Sequence, residues 1–408
     1  MNDGERSDIV IAGAGPVGTV LACALAANGW KIALCERGGP PAKSSPERDR
    51  RGLALTVASQ RILAHLGVWT LITPGSVAEI RRMRVCEDGA SVTFDAAEIG
   101  RKDLGYVVEY AELMAALTRR IKAYPDTISH RDSGAVQWIA SSRDGELRLA
   151  TGDTLRARLA VASDGAYSLI RGSGGIGLET HPYHETAITT TVRTRVPHGQ
   201  QAWQRFLPGG PLALLPLPDP GERSLIWSLA EAQARELCAL GDEAFADALR
   251  AACGDEFGEI STCVPRQAFP LIRARAQRYI GERLALAGDA AHHVHPLAGQ
   301  GVNLGLADAA TLAEVLIDAR TTGRDPGARA ALRRYERWRR SANTPMLAAI
   351  DLFHDLFPRP GRLWGKTRRT GLRVFDTLTP VKREVMRYAS GIKGDLPFLA
   401  RPCGQSSS

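Results

Sequence analysis

Two periods of apolar residues run along this chain, one near two and one near 3.6, and their alternation divides it into elements. The stretch 8–37 passes from an apolar run at 9–11 through a glycine turn into a helix and out into a second apolar run. Strand, turn, helix and strand are therefore predicted there. Ile62, Leu63 and Leu66 give one apolar side to a helix that follows a charged Pro/Ser loop. Residues 81–95 alternate about Glu87, Asp88 and Gly89, which predicts a β-hairpin. Leu113, Leu117 and Ile121 recur at spacings of four, predicting a helix over 106–124, and 155–171 reads as a second strand–turn–helix. Residues 183–275 are mostly strand-like alternation with one helical stretch at 242–253. Leu212, Leu214, Leu215, Ile226 and Trp227 are its apolar positions, expected mainly as sheet core and in part as pocket lining. A buried strand at 284–287 leads through a tight turn into a helix from Val302, with Leu304, Leu312, Val315 and Leu316 on one side. The remainder reads as helical.

Chemistry enters at the turns. Gly13, Gly15 and Gly18 stand at G-x-G-x-x-G positions directly after the first strand, and Glu36 and Arg37 close the second. Glycines there let a pyrophosphate approach the positive end of the helix, while Glu36 can accept from ribose hydroxyls. The pattern predicts a dinucleotide without distinguishing FAD from NAD. Gly288 and Asp289 end the 284–287 strand, where an acid can accept from ribityl or ribose hydroxyls. Pro296, Gly299, Gln300, Gly301, Val302 and Asn303 then shape the entry to a helix whose free N–H groups favour an anion. With 408 residues, two interleaved units with a sizeable core are expected. No apolar run approaches the roughly 18 residues of a membrane span, and the N-terminus lacks a basic-then-apolar leader, so a cytoplasmic protein is expected. Seven cysteines, at 23, 35, 86, 238, 253, 263 and 403, form no C-x-x-C pair and read as reduced thiols.

Gly288-Asp289 followed by HPLAGQGVNLG from His295 onward resembles the second flavin-contacting motif of the single-component FAD-dependent aromatic hydroxylases. Within them it is most similar to the branch that hydroxylates polyprenylated phenols in ubiquinone biosynthesis. Arg51 in RGLALT resembles that family's R-x-x-A-L-S, in which the arginine lies against the flavin. Asp164, Gly165, Ser168 and Arg171 resemble its D-G-x-x-S-x-x-R, which in relatives serves flavin and nicotinamide; as plain structure, the same residues make a turn and a helix cap. Pro380 with Lys382, and Ala389 to Gly391, match the family's ending. The resemblance implies FAD as cofactor, with NAD(P)H or another donor and O2 as co-substrates. It also implies oxygen delivery from a flavin C4a-hydroperoxide to an ionised phenol. One departure stands out: Tyr110 and Ala111 replace the family's asparagine and cofactor-holding arginine. Flavin halogenases share the fold, but none of the seven tryptophans makes their W-x-W-x-I-P. The alternatives are a hydroxylase of a smaller soluble phenol and a flavin-binding, non-catalytic subunit of a biosynthetic complex.

The expected architecture is α/β, a Rossmann-like FAD-binding domain interleaved with a β-sheet substrate domain, plus C-terminal helices. Its nucleotide parts are 1–70, 106–182 and 276–330, the substrate parts 71–105 and 183–275, and the helical extension 331–408. His292, His293 and His295 form H-H-x-H, yet no Cys or acid spacing completes a metal site, so none is expected. His292 and His295 are retained as weak candidates for deprotonating a phenol. Residues 359–393 hold ten Lys/Arg and two Asp/Glu, a net +8 that equals the charge of the whole chain. Beside Leu363, Trp364, Leu372, Val374 and Phe375 this suits peripheral contact with an anionic inner-membrane surface, against a solvated helix face as the plain reading. Nucleic acid is not expected, because no recognition motif accompanies the charge.

Overall fold

The computed structural model describes residues 6–37, 50–295, 299–356 and 362–402. Pro296 and Cys403 lie outside them, as do the side chains of Leu363 and Trp364. Helices in chain order are α1 (Pro16–Ala26), α2 (Val57–His65), α3 (Tyr110–Ile121), α4 (Leu169–Ser173), α5 (Glu231–Ala239), α6 (Asp242–Cys253), α7 (Gln300–Thr321), α8 (Arg329–Leu356), α9 (Arg362–Thr377) and α10 (Thr379–Ala389).

One sheet is built on parallel pairing. Strand Arg6–Ala12 lies between Thr154–Ala162 and Ile32–Cys35, with Leu284–Leu286 beyond the former and Ile128–Arg131 beyond the latter. Its central strands are buried and apolar over Ile9–Ala12, Ile32–Cys35 and Leu159–Ala162, as a sheet covered on both faces requires. On one face α1 packs against α7, and the residues that separate them are small enough to bring the backbones together. A second, nine-stranded sheet is mostly antiparallel. It runs from His292–His293 through Gln267–Ala276, Leu178–Thr194, Glu222–Ala230, Gly210–Pro216 and Gln201–Leu207 to the hairpin Arg82–Glu87 and Ala90–Asp95. Trp203, Leu212, Leu214 and Trp227 form its core with Phe245 and Leu249 of α6. Two segments far apart in sequence thus make one sheet, and its last strand is supplied by the His292 turn itself.

Several elements differ from the sequence expectation. Gly105–Glu109 is a strand, not the first turn of a helix, because Val107 and Val108 are buried between Gly52–Thr56 and Val77–Ile80 in a small third sheet. That sheet was not expected, nor were α5 or the strands Ala135–Ala140 and Gly145–Leu149. Helix α7 starts at Gln300, with Gly299 at φ +62° as its N-cap, two positions before Val302. The basic tail also differs. Arg368 pairs with the buried Glu87 at 2.6 Å, Arg369 reaches Asp88 at 3.3 Å, and Arg373 donates to the Gly89 carbonyl at 3.4 Å. These cations hold α9 to the hairpin, while Phe375 stacks edge-on with Phe94.

Candidate functional site

The three glycines of the first turn do different work. A Cβ on Gly13, where φ is +97°, would sit 2.3 Å from the Ser163 carbonyl oxygen, and one on Gly18 would sit 2.0 Å from the Gly13 oxygen. Those two positions let helix and neighbouring strand end come together. Gly15 is the N-cap of α1 at φ −67°, and a Cβ there meets nothing within 4 Å. The open space lies over the helix N-terminus, where unpaired N–H groups favour phosphate. Ser163 fastens the cradle from below, its hydroxyl donating to the Ala12 and Gly13 carbonyls at 2.8 and 3.0 Å. Glu36 faces the same turn, accepting from the amides of Ala14 at 2.7 Å and Arg37 at 2.8 Å. The donor set therefore fits a dinucleotide: open helix terminus, acid at the second strand end, no side chain in between. Arg37 itself is exposed, with the Gly134 backbone against its stem.

Asp164 adjoins this cradle, its amide lying 2.8 Å from where a Gly13 Cβ would stand. One carboxylate oxygen accepts from the Leu169 amide at 3.1 Å, while the other is buried and unpartnered among the described residues. Burial pushes this carboxyl above the usual range, against the hydrogen bonds that stabilise its charge. Ser168 caps α4 by accepting from the Arg171 amide at 3.0 Å, the plain structural role available to it. Arg171 is buried and donates to the carbonyls of Ala166 and Ala290 at 2.9 and 3.0 Å, tying the Asp164 turn to the Gly288 turn.

Gly288, at φ +62°, turns the chain so that Asp289 is partly exposed, with His293 Nδ1 2.9 Å from its carboxylate. Burial disfavours the His293 cation, but Asp289 outweighs it and raises the imidazole pKa. Behind the turn lies a group the sequence reading missed. Asp308 of α7 is fully buried and accepts from the Gly288 amide at 3.0 Å, from Arg339 Nε at 2.6 Å and from Asn343 at 3.3 Å, with His292 Nε2 at 2.6 Å. Burial opposes its charge, yet His292 and Arg339 hold the carboxyl down at about 2. A lone acid among Leu304, Leu306, Ala309 and Leu312 was the available signal, because a buried charge at a core position implies a partner. His295 is buried too, 3.1 Å from Glu185 at the irregularity of strand Leu178–Thr194. The three adjacent imidazoles thus diverge to three different carboxylates. Neither His292 nor His295 lines the cavity described next, and both read as positioning residues.

Asn303 uses both ends of its amide. Its oxygen accepts from the Thr56 amide at 2.9 Å and the Ser59 hydroxyl at 2.6 Å, and its nitrogen donates to the Ala54 and Gly299 carbonyls at 2.8 Å each. It latches the first turn of α7 to the end of strand Gly52–Thr56. Gly299 is held as closely, since a Cβ there would lie 2.9 Å from that of Ala54. Val302 packs on the main core, and Gly301 is open on its flank. Arg51 stands nearby with its guanidinium 4.8 Å from the Phe269 ring centre and 5.3 Å from that of Tyr110. Tyr110, one of the two departures from the family pattern, thus stacks on the neighbouring arginine. Arg50 braces the segment through Glu109 and Glu222, both at 2.9 Å.

A cavity lies between the α7 N-terminus and the large sheet. Gly299, Gln300, Asn303, Ala54 and Thr56 form its floor. Met83, Phe94, Leu215 and Ile226 form one wall, and Val385, Met386, Ala389 and Ser390 of the α10 region the other. Leu215 and Ile226 are thus pocket wall, whereas Leu212, Leu214 and Trp227 are sheet core.

Comparison with known proteins agrees with this geometry. Residues 6–349 match the family described as FAD binding domain. The chain is 38% identical over 396 residues to the ubiquinone hydroxylase UbiL of Rhodospirillum rubrum, covering 94% of this chain and 90% of that protein. It is 35% identical over 391 residues to the 3-demethoxyubiquinol 3-hydroxylase of Escherichia coli, covering 95% and 99%. The solved structure of p-nitrophenol 4-monooxygenase from Pseudomonas putida shares the fold at TM-score 0.76 and 18% identity, covering 96% of this chain and 100% of that one. A match of this extent, on a chain whose cradle is open where a dinucleotide needs it, settles the family: this protein belongs to the FAD binding domain family and is an FAD-dependent aromatic-ring monooxygenase.

Proposed function

We propose that this enzyme hydroxylates a polyprenylated phenol on the route to ubiquinone, using NAD(P)H or another donor and O2. The observation that carries the reading is the cavity. Its floor is the N-terminus of α7, and most of its walls are apolar side chains such as Ile80, Met83, Phe94, Leu104 and Leu215. Such a lining suits an aromatic head with a hydrocarbon tail, because apolar contact drives its transfer from water at roughly 25 cal/mol per Å2. The relatives named as ubiquinone hydroxylases support the same choice.

When bound, FAD supplies the two-electron chemistry and the activation of oxygen. The chain supplies the rest. The open α1 terminus at Gly15 and the Glu36 carboxylate hold the adenosine diphosphate end, with Arg37 at its rim. Asp164, Gly288 and Asp289 would meet the middle of the cofactor. Gly299, Gln300, Gly301 and Val302 would present free helix N–H groups to the ring and stabilise negative charge there, with Asn303 latching the turn in place. Arg51 adds a fixed cation beside the same region. The apolar walls keep water from the reacting ring.

None of the helices among the described residues is long and apolar enough to cross a membrane. Because the substrate is too apolar to diffuse freely through water, the enzyme meets it at a cytoplasmic bilayer surface or receives it within a biosynthetic complex. The test is substrate-dependent O2 uptake and NAD(P)H oxidation by FAD-loaded protein, with mass spectrometry of the product. Incorporation of one oxygen into a polyprenyl phenol is the expected result. Oxygen incorporation only into short, soluble phenols would replace the substrate, and absence of any turnover would favour a flavin-binding subunit.

A further inference from the structure

Among the exposed large apolar side chains of this protein, five follow one another at spacings of four, three, four and three: Val374, Leu378, Val381, Val385 and Tyr388. Val381, Val385 and Tyr388 stand on one face of α10, and Val374 and Leu378 continue the series back into the end of α9. The adjoining positions Lys382 and Met386 are buried, so α10 is seated on the protein by one side and offers an apolar stripe on another. Val385 is 44% exposed and also lines the substrate cavity, as does the exposed Ala389. The cavity therefore opens beside the stripe.

We propose that this stripe is the bilayer-docking surface of the enzyme, and that the prenyl tail passes from lipid into the cavity at Val385 without crossing water. The idea rests on the polyprenyl-phenol reading above and adds the place and direction of entry. Charge selects lipid as the occupant. Residues 359–393 carry ten Lys/Arg against two Asp/Glu, and Lys366 and Arg383 of that set are exposed. On α10 the single acid, Glu384, is paired with both Arg387 and Lys393, leaving that end net positive. An apolar stripe bordered by cations matches an anionic headgroup layer over hydrocarbon. The cations Arg368, Arg369 and Arg373 are engaged with the hairpin, and the buried Lys382 with Glu98 and Asp376, so the apolar side chains and the exposed Lys366 and Arg383 make the contact.

The test uses FAD-loaded full-length protein and vesicles of phosphatidylcholine with added phosphatidylglycerol. Val374 and Val381 do not line the cavity, so Val374→Asp with Val381→Asp alters the stripe and leaves the site intact. Wild type is expected to sediment with vesicles at low salt and to be partly released at 1 M, where screening shortens to about 3 Å. The double variant should bind about tenfold less or weaker still, since two charges now oppose entry into the interface. It should keep wild-type turnover on a phenol with a single prenyl unit in water, but lose about tenfold on a long-chain phenol presented in vesicles. A milder pair, Val374→Gln with Val381→Gln, serves if the aspartates reduce solubility, with FAD content and melting temperature as folding checks. Equal vesicle binding by wild type and both variants would overturn the proposal. So would an oligomer that dissociates in the variants while vesicle binding stays unchanged, because the stripe would then cover a second copy. Stripe-dependent vesicle binding without turnover of either phenol would leave the docking surface standing and remove the substrate reading instead.

Discussion

Replacing Gly15 by valine separates cofactor binding from folding more cleanly than any other change in the nucleotide turn. Gly15 has φ −67° and ψ −176°, backbone that valine adopts without strain, and its Cβ would meet no protein atom within 4 Å. The apoprotein should lose only the difference between a tolerated and a poor N-cap, about 1 kcal/mol, which shifts the melting temperature of a protein this large by roughly 1 °C. The branched side chain would instead fill the space over the α1 terminus. Displacing a phosphate removes at least one charge-assisted hydrogen bond, about 1.5–3 kcal/mol, and up to about 2 kcal/mol of helix-terminus attraction. A combined loss of about 3–5 kcal/mol weakens the FAD Kd roughly 100- to 4,000-fold. Flavin-fluorescence titration of the apoprotein measures the affinity, and thermal unfolding without FAD measures the stability. Gly18→Val is the contrasting control, because its Cβ would lie 2.0 Å from a backbone oxygen and should prevent folding. Wild-type FAD affinity in Gly15→Val, or unfolding as severe as that of Gly18→Val, would refute the reasoning.

Asp308→Asn should destabilise the protein by about 3–5 kcal/mol in denaturant melts, because Arg339 is left buried and unpaired; adding Arg339→Met should recover most of it, and no recovery would contradict the pairing. The native Asp308 carboxyl lies near 2 against an ordinary 3.8, so its stabilisation is complete above about pH 4 and disappears as pH falls through about 2. Acid titration of stability should show that loss in wild type, and an equally steep loss over this window in the double variant would assign it elsewhere. Asp289→Ala should weaken FAD retention about 10- to 100-fold through a lost hydrogen bond to a charged group, whereas Asp164→Ala should slow reduction of the FAD-saturated enzyme by NAD(P)H. Stopped-flow reduction separates the two, and wild-type rates in both variants would remove the distinction. Arg368→Gln should cost about 1–3 kcal/mol, since Glu87 is buried and loses its cation; a melting temperature equal to wild type would show that the Arg368–Glu87 pair does not hold α9 to the hairpin.

Legibility in the sequence followed the range of the interactions. The glycine turn, Glu36 and the Gly288-Asp289 turn are local devices, each written within a few residues of its strand end, and the structure places them around one cradle. The helix at 242–253 was equally legible because its apolar face repeats locally. Val107 and Val108 misled because Leu113, Leu117 and Ile121 follow directly, and period 3.6 was extended backward over a β-branched pair that packs between strands. Asp308 and Arg339 lie 31 residues apart on different helices, and Asn303 reaches Thr56 across 247, so no local pattern announces either partner. The cations of α9 illustrate a different limit. Their charge was visible, but their partners Glu87, Asp88 and Gly89 belong to a hairpin some 281–284 residues earlier.

The position of strand Leu284–Leu286 has a consequence for how the protein is made. It pairs with Ala160–Ala162 on the edge opposite strand Arg6–Ala12, so that edge has no neighbour until some 120 further residues have left the ribosome. The Asn303 latch and the α7 terminus arrive later still. At roughly 5–20 residues per second, the nucleotide cradle at Gly15 therefore exists for many seconds as half a site, with the adenosine end formed and the ring end not yet synthesised. FAD that arrived then would lack the Gly288-Asp289 turn and the α7 terminus. Complete cofactor contact is accordingly expected only late in synthesis, and until then the open strand edge is the part of the nascent sheet exposed to unwanted pairing.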